Sequence, residues 1–341
     1  MLWTSNYVLT MRSDMKIALT HNLRRNDAEA EAEFYQEENV VELVNALEAN
    51  GHRVARIDVD EPIPKWLERL VAFGPDLIFN SADGREGRAR EAFFPALYEA
   101  MGLPYTGSDA HTMMVTLDKR LAKEVLAPLG VPMARHRLVT PDNRPDCSDL
   151  QFPVLCKPNF EGSSKGITDD GVVEDPSRLN DVVTRLLETY SHGVLVEEFI
   201  AGVDVAVAYL ENAPSGGVLE PFRYFAAPEK RSRYNIYDYR LKNVDGAYVT
   251  VHCPTGLDPE VNTRVRNAAQ TIFRALNVRD LGRIDFRVGD DGIPRFLEVN
   301  PLPWLTPDAG IFDAARLQGL SFVDVIGSIV ASAARRYGLR M

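Results

Sequence analysis

Two-residue alternation in the stretch 282–288 (GRIDFRV) puts Arg283, Asp285 and Arg287 on one face of a strand and Ile284 and Phe286 on the other. The stretch 296–300 (FLEVN) sets Glu298 and Asn300 on a common face in the same way. If these strands pair, Asp285, Glu298 and Asn300 converge as three hard oxygen donors beside Arg283. Such a set suits Mg²⁺, which takes few protein ligands and completes its shell with water and phosphate oxygens. Solvent-facing strand residues in ordinary salt bridges give the same pattern, so the cluster alone leaves both readings open. A second stretch, 156–167 (CKPNFEGSSKGI), delivers Lys157 from a strand into a glycine- and serine-containing turn. Backbone N–H groups and the hydroxyls of Ser163 and Ser164 can cradle phosphates there. No GKS or GKT follows at the spacing of a Walker loop, and a plain turn is the simpler alternative; Lys157 is what favours a phosphate. In a third stretch, 194–204 (VLVEEFIAGVD), Glu197 and the backbone near Ile200 are set to meet an adenine ring, with Asp204 beyond them for ribose hydroxyls. An edge strand running into a turn reads the same way.

The elements that must position these residues follow from hydrophobic periodicity. From Lys16 strand and helix alternate: a short apolar strand at 17–19, a helix with Val40, Val41, Val44 and Leu47 on one face, and a strand over 53–59. A helix over 64–73, a strand over 76–80 and a helix over 91–101 closed by Gly102 follow. Short connections between alternating elements imply a parallel sheet covered by helices, ending near residue 117. The next unit opens with a helix over 118–129, then has strands at 135–139, near 152–159 and at 193–200, with a helix over 176–190. From about Val203 come a strand, a long polar loop to about Gly246, a helix with Val265, Ala269 and Ile272 on one face, two alternating strands and a helical tail over 322–337. The domain division expected is an extension over 1–15, an N-terminal α/β domain over 16–117, a central domain over 118–202 and a C-terminal domain over 203–341.

Bulk composition narrows the function classes. The chain has 341 residues, 45% of them hydrophobic, enough for a sizeable core and about two to three domains. Its 38 basic and 49 acidic residues leave a formal net charge of −11, which argues against a nucleic-acid or anionic-membrane partner. Cys147, Cys156 and Cys253 are too few and too scattered for a disulfide framework or a zinc site and read as free thiols in a reducing cytoplasm. No run approaches the ~18 apolar residues of a membrane helix. Residues 1–14 are given no function.

The three stretches, in this order and spacing, resemble the ATP-grasp superfamily and, within it, the D-alanine–D-alanine ligases. The similarity extends to 79–87 (FNSADGREG), 102–110 (GLPYTGSDA), 117–132 (LDKRLAKEVLAPLGVP), 237–242 (YDYRLK) and 296–307 (FLEVNPLPWLTP). The resemblance implies a three-domain α/β (α+β) ATP-grasp fold with ATP held between the central and C-terminal domains. It implies that Lys119 and Lys157 contact the α/β-phosphates and that Glu197, Glu198, Ile200 and Asp204 hold the nucleoside. Ser163 and Ser164 would lie in the loop over the phosphates, with Lys242 at the γ-phosphate. Asp285, Glu298 and Asn300 would bind two Mg²⁺ ions, with Mn²⁺ as an alternative metal. Arg283, with a backbone N–H in the 302–305 turn, would steady the tetrahedral intermediate; Arg283, Lys242 and Ser163 are the catalytic set. The implied reaction joins a carboxylate to an amine through an acyl phosphate, in a cytoplasmic enzyme that is a homodimer.

Departures from the family fall in the amino-acid subsites. The family's glycine-rich turn and Ser-x-Glu segment, whose glutamate helps hold the first substrate's ammonium, is replaced by 20–34 (THNLRRNDAEAEAEF), with several candidate acids. Its His-Gly pair is Asp83-Gly84, the tyrosine after the lid lysine is Asn243, and its serine for the second substrate's carboxylate is Ala309. Trp304 suits either an aromatic substrate or core packing, and Lys165 either a substrate carboxylate or plain solvent. The pattern implies a ligase with an altered amino-acid or amine acceptor; a true D-alanine–D-alanine ligase and an ATP-binding regulatory module are the alternatives.

Overall fold

The computed structural model describes residues 14–340. Most of the N-terminal extension lies outside them, but Met15 is buried and its carbonyl accepts from the Arg53 N–H. The first unit contains β1 (Lys16–His21), α1 (Glu37–Ala49), β2 (Arg53–Asp58), α2 (Ile63–Phe73), β3 (Leu77–Ser81), α3 (Arg90–Met101) and α4 (Ala110–Leu117). Its three strands run parallel in the order β2-β1-β3. Because side chains alternate along a strand, Ile17 and Leu19 face one side of the sheet and Ala18 the other. Trp66, Leu70, Phe94 and Tyr98 of α2 and α3 cover the Ala18 side. The α1 face differs from the expected one: Val40, Leu43, Ala46 and Leu47 are buried while Val41 is exposed. Leu43 and Leu47 follow Val40 at helical spacing, which turns Val41 away from the sheet.

The central unit contains α5 (Lys119–Leu126), β4 (His136–Val139), β5 (Val154–Pro158), β6 (Val172–Val173), α6 (Leu179–Thr189) and β7 (Val194–Glu198). Its strands form an antiparallel sheet, β4-β7-β5-β6. Val182, Val183 and Leu187 of α6 pack on Val154, Cys156, Val194 and Val196. Alternation therefore turns Leu155, Lys157, Leu195 and Glu197 to the face that α6 leaves uncovered.

The C-terminal unit contains β8 (Gly202–Leu210), β9 (Arg223–Ala226), α7 (Tyr239–Asn243), β10 (Val249–His252), α8 (Pro259–Ala275), β11 (Leu281–Gly289), β12 (Pro294–Asn300), α9 (Gly310–Arg316) and α10 (Phe322–Arg336). The expected polar loop before Gly246 thus carries β9 and α7, and β9 pairs with β10 in a two-stranded sheet. The main sheet is antiparallel, β12-β11-β8. Ile284, Phe286, Phe296 and Val299 pack beneath Val265, Ala269, Ile272 and Phe273 of α8. Two helices cross the expected boundaries. Ala122 and Leu126 of α5 enter this C-terminal core. Val325, Ile326, Ile329 and Val330 of α10 join Ile17, Leu19, Leu77 and Phe79, so the last helix completes the cover of the first sheet.

Candidate active site

The uncovered face of the central sheet and the polar face of β11 and β12 enclose one cleft, which continues into a second cavity beside the N-terminal unit. The cleft is lined by Lys157, Ser164, Glu197, Glu198, Ile200, Asp204 and Asp285, and the second cavity by Lys119, Ser163 and Asn300. Lys242, Arg283 and Glu298 line both. Every catalytic, nucleotide and metal residue named from the sequence therefore lines the cleft, the second cavity or both.

β11 and β12 position the carboxylates. Asp285 stands opposite Glu298 and Arg283 opposite Asn300 in the antiparallel register. A bulge breaks that register between Asp285 and Phe286. It lets Arg295, opposite Arg287, share the cleft with Glu298 three residues on, which strict alternation forbids. Arg283 grips Asp285 through two parallel bonds, Nε and a terminal nitrogen each 2.8 Å from a carboxylate oxygen. Lys119 Nζ lies 3.1 Å from Glu298 Oε2. Burial alone would raise the Glu298 carboxyl, but Lys119, Lys157 and Arg283 outweigh it and hold it down at about 2. Glu298 is thus ionised across the working range, as a metal ligand must be. Asn300 Oδ1 accepts from the Leu302 N–H at 3.0 Å, which fixes the amide. The Leu305 N–H of the same turn donates to the Tyr35 hydroxyl.

On the central sheet, Lys157 Nζ is 2.5 Å from Glu197 Oε1, and Lys123 Nζ is 3.2 Å from Glu197 Oε2. All three are buried. Burial opposes ionisation of Glu197, yet Lys123 and Lys157 carry its carboxyl down to about 2. Residue spacing gives no sign of Lys123, because a lysine at helical spacing looks like any solvated one. Glu198, one residue on, turns to the opposite side and accepts from the Gln151 N–H. Arg287 is likewise unmarked by its spacing as a binding residue. Its guanidinium bonds the Ile200 carbonyl, Asp204 Oδ1 and the Asn235 carbonyl, each at 2.9 Å, and so fixes the end of the cleft where Ile200 and Asp204 lie.

The roof comes from two loops. Ser163 and Ser164 both have positive φ, 49° and 57°, a left-handed conformation that costs energy for residues with a Cβ. Ser164 Oγ donates to the Tyr237 carbonyl at 3.0 Å, and Asn243 Nδ2 donates to the Ser163 carbonyl at 3.1 Å. α7 is thereby latched to the 161–166 turn. Tyr237 stacks on Tyr224 with ring centroids 4.7 Å apart, where cleft and cavity meet. Lys242 stands beneath this roof; burial, then Arg283, bring its ammonium down to about 8.

The second cavity clarifies the N-terminal segment. Of its acids, Glu33 reaches the cavity, whereas Glu31 is buried against Arg25, Asn26 and Arg85. Lys165 is neither solvated nor free for a substrate: it is buried, 2.6 Å from Glu33 and 2.7 Å from Glu161. Trp304 lines the cavity but is held as scaffold, with Nε1 donating to the Glu33 carbonyl and the ring against Tyr35.

Comparisons with known proteins find relatives in sequence and in fold. A family model described as the D-ala D-ala ligase C-terminus matches residues 127–331. The D-alanine--D-alanine ligase of Anaeromyxobacter sp. is 33% identical over 294 residues, covering 85% of this chain and 89% of the relative. Among solved structures, the D-alanine--D-alanine ligase from Bacillus anthracis complexed with ATP superposes with a TM-score of 0.76 at 21% identity, covering 95% of this chain and 99% of that one. The VanG D-Ala:D-Ser ligase from Enterococcus faecalis gives a TM-score of 0.72 at 20% identity, covering 94% of this chain and all 100% of the other.

Proposed function

The chain belongs to the D-alanine–D-alanine ligase family, an ATP-dependent, ADP-forming class of carbon–nitrogen ligases, and from that premise we propose that it joins an amino-acid carboxylate to an acceptor other than a second D-alanine. The observation that carries this is the contrast between the walls. The cleft keeps the charged set suited to nucleotide and metal, while the second cavity has Asp83 and Ala309 where the family has histidine and serine, and Asn243, in the roof, stands where the family has tyrosine. Asn243 is spent on latching Ser163. Ala309 offers no hydroxyl to an acceptor carboxylate. The Enterococcus protein with a D-serine acceptor has the same fold, so the fold does not dictate the acceptor.

In this reading the nucleoside lies along Glu197, Ile200 and Asp204 and the backbone of Glu198, whose carboxylate is turned away to the Gln151 N–H, and Lys119 and Lys157 meet the α- and β-phosphates. Ser163 and Ser164 close over the phosphates, and Lys242 meets the γ-phosphate. Asp285, Glu298 and Asn300 hold two Mg²⁺ ions, or Mn²⁺ in their stead; three oxygen donors on one strand-pair face fit that role. Bound there, the ions would neutralise phosphate charge. The substrate carboxylate oxygen bonds to the γ-phosphorus as its bond to the ADP oxygen breaks, leaving an acyl phosphate. The acceptor amine then adds to the acyl carbon, and inorganic phosphate leaves with its bridging oxygen. Arg283 faces the developing oxyanion and phosphate charge; losing one such donor costs about 3 kcal/mol of transition-state stabilisation, over a hundredfold in rate.

The same reading keeps 16–117, 118–202 and 203–341 as the working domains, although α5 and α10 pack across them. It also expects a homodimer in the cytoplasm, which light scattering and cell fractionation check. The direct test is ADP release with a panel of D- and L-amino acids, alone and in pairs, with products read by mass spectrometry. A mixed product is expected. Rapid turnover of D-alanine alone to D-alanyl-D-alanine would remove the altered acceptor and leave a plain family member.

A further inference from the structure

Asp83 is 7% exposed and lines the second cavity, yet its carboxyl has no hydrogen bond or ion pair with any described residue. Its backbone is fixed: the Asp83 and Gly84 N–H groups both donate to Asn22 Oδ1, at 3.1 and 3.0 Å. Gly84 has φ 74°, and a Cβ there would meet the Arg90 carbonyl at 2.9 Å, so the turn that presents Asp83 requires glycine. A buried carboxylate without a donor is costly unless it is protonated or meets a cation.

The neighbouring charges show what is missing. Glu33, Asp83, Glu91 and Glu161 share this wall, and among the described residues the cations within ion-pair distance of them are Arg90 and Lys165. Both cations are committed to Glu33, Lys165 at 2.6 Å and Arg90 at 3.3 Å, and each is shared with a second acid, Lys165 with Glu161 and Arg90 with Glu91. Those cations outweigh burial and hold the Glu33 carboxyl at about 2, so it is a satisfied anion. Burial, then the charge of Glu33 and Glu91, push the Asp83 carboxyl up, and burial raises Glu91 to about 7. Asp83 is thus the acid of this wall left without a cation at ion-pair distance among the described residues, and a substrate carboxylate would be repelled from it.

We propose that Asp83 is the specificity-determining residue that takes the ammonium group of the amino acid whose carboxylate is activated, the role Glu33 is prevented from filling by Arg90 and Lys165. The inference rests on the amide-ligase reading above and deepens it: the first substrate is a free amino acid rather than its hydroxy, deaminated or N-acylated counterpart. Its carboxylate then lies toward Lys242 and Arg283 of the same cavity.

The test begins with the unmodified enzyme. The amino acid giving the fastest ADP release is set beside its α-hydroxy acid and its des-amino acid. The amino acid should be preferred in kcat/KM by roughly thirtyfold or more, the effect of an unmatched buried charge. Equal use of all three would overturn the proposal while leaving the ligase reading intact. Failure of every carboxylic acid to release ADP would remove the ligase reading and this inference together. The variant Asp83→Asn should then raise KM for the amino acid about thirtyfold with kcat changed far less, and narrow its preference over the α-hydroxy acid. A parallel loss for both substrates, or no loss, assigns the ammonium elsewhere.

Discussion

Glu298 and Glu197 have the same depressed carboxyl but different jobs, and substitution separates them. Among the described residues Glu298 is within salt-bridge distance of Lys119 alone and faces both cavities, and Lys119 lines the second of them. Glu298→Gln and Asp285→Asn should leave the fold intact and lower ADP-forming turnover on the order of a hundredfold or more. Circular dichroism and steady-state kinetics check this; an unchanged rate would take either residue out of the metal site. Glu197 instead sits between two buried lysines. Glu197→Gln leaves Lys123 and Lys157 facing each other without their shared anion, and breaking such a buried pair costs about 3–5 kcal/mol. The thermal midpoint should fall by several degrees, and an unshifted midpoint would contradict the buried triad.

The elements that close the site are those least visible in sequence. α7 is five residues long and β9 is half-buried along its length, so neither carries a helical stripe nor a clean alternation. Their order comes from contacts made at a distance, the Tyr224–Tyr237 stack and the Asn243 bond to Ser163. Asn243→Ala removes one such bond and should raise KM for ATP roughly fivefold with little loss of stability, the worth of about 1 kcal/mol. Competition binding and denaturant unfolding measure the two sides; an unaltered KM would deny that the latch closes the cleft. The long strands β8, β11 and β12 are legible because alternation largely survives in them, and so residue spacing alone puts Arg283 and Asp285 on one strand face and Glu298 and Asn300 on another. The bulge at Asp285/Phe286 is not legible in this way, since it depends on where the strands pair and not on either sequence alone. Nor is the commitment of Lys165 and Glu33 to each other, which joins residues on separate units.

At the scale of the whole molecule, the first and last units share a core, because α10 lies on the sheet that opens the chain. Truncation after Leu320 should therefore unfold the N-terminal sheet as well, seen as lost near-ultraviolet dichroism; a folded truncated protein would show that the helix is an accessory. The same region carries an acid sensitivity. His21 is fully buried with both ring nitrogens unpartnered, and burial lowers it from 6.5 to about 4. Between those values the unfolded chain binds a proton that the folded chain refuses, so stability is full above about pH 6.5 and falls as pH drops toward 4. Its share is about 3 kcal/mol, and His21→Phe should flatten that slope in urea unfolding at pH 7 and pH 4.5. The net charge of −11 describes the exterior. Within the joined cleft Lys119, Lys157, Lys242 and Arg283 gather around two metal-suited carboxylates, a setting for a nucleotide polyphosphate. The central claim, carboxylate activation by ATP, is tested most directly with an amino acid labelled with ¹⁸O in its carboxyl group. Turnover should transfer one ¹⁸O into the inorganic phosphate released alongside ADP, whereas phosphate free of label would contradict an acyl phosphate and the account built on it.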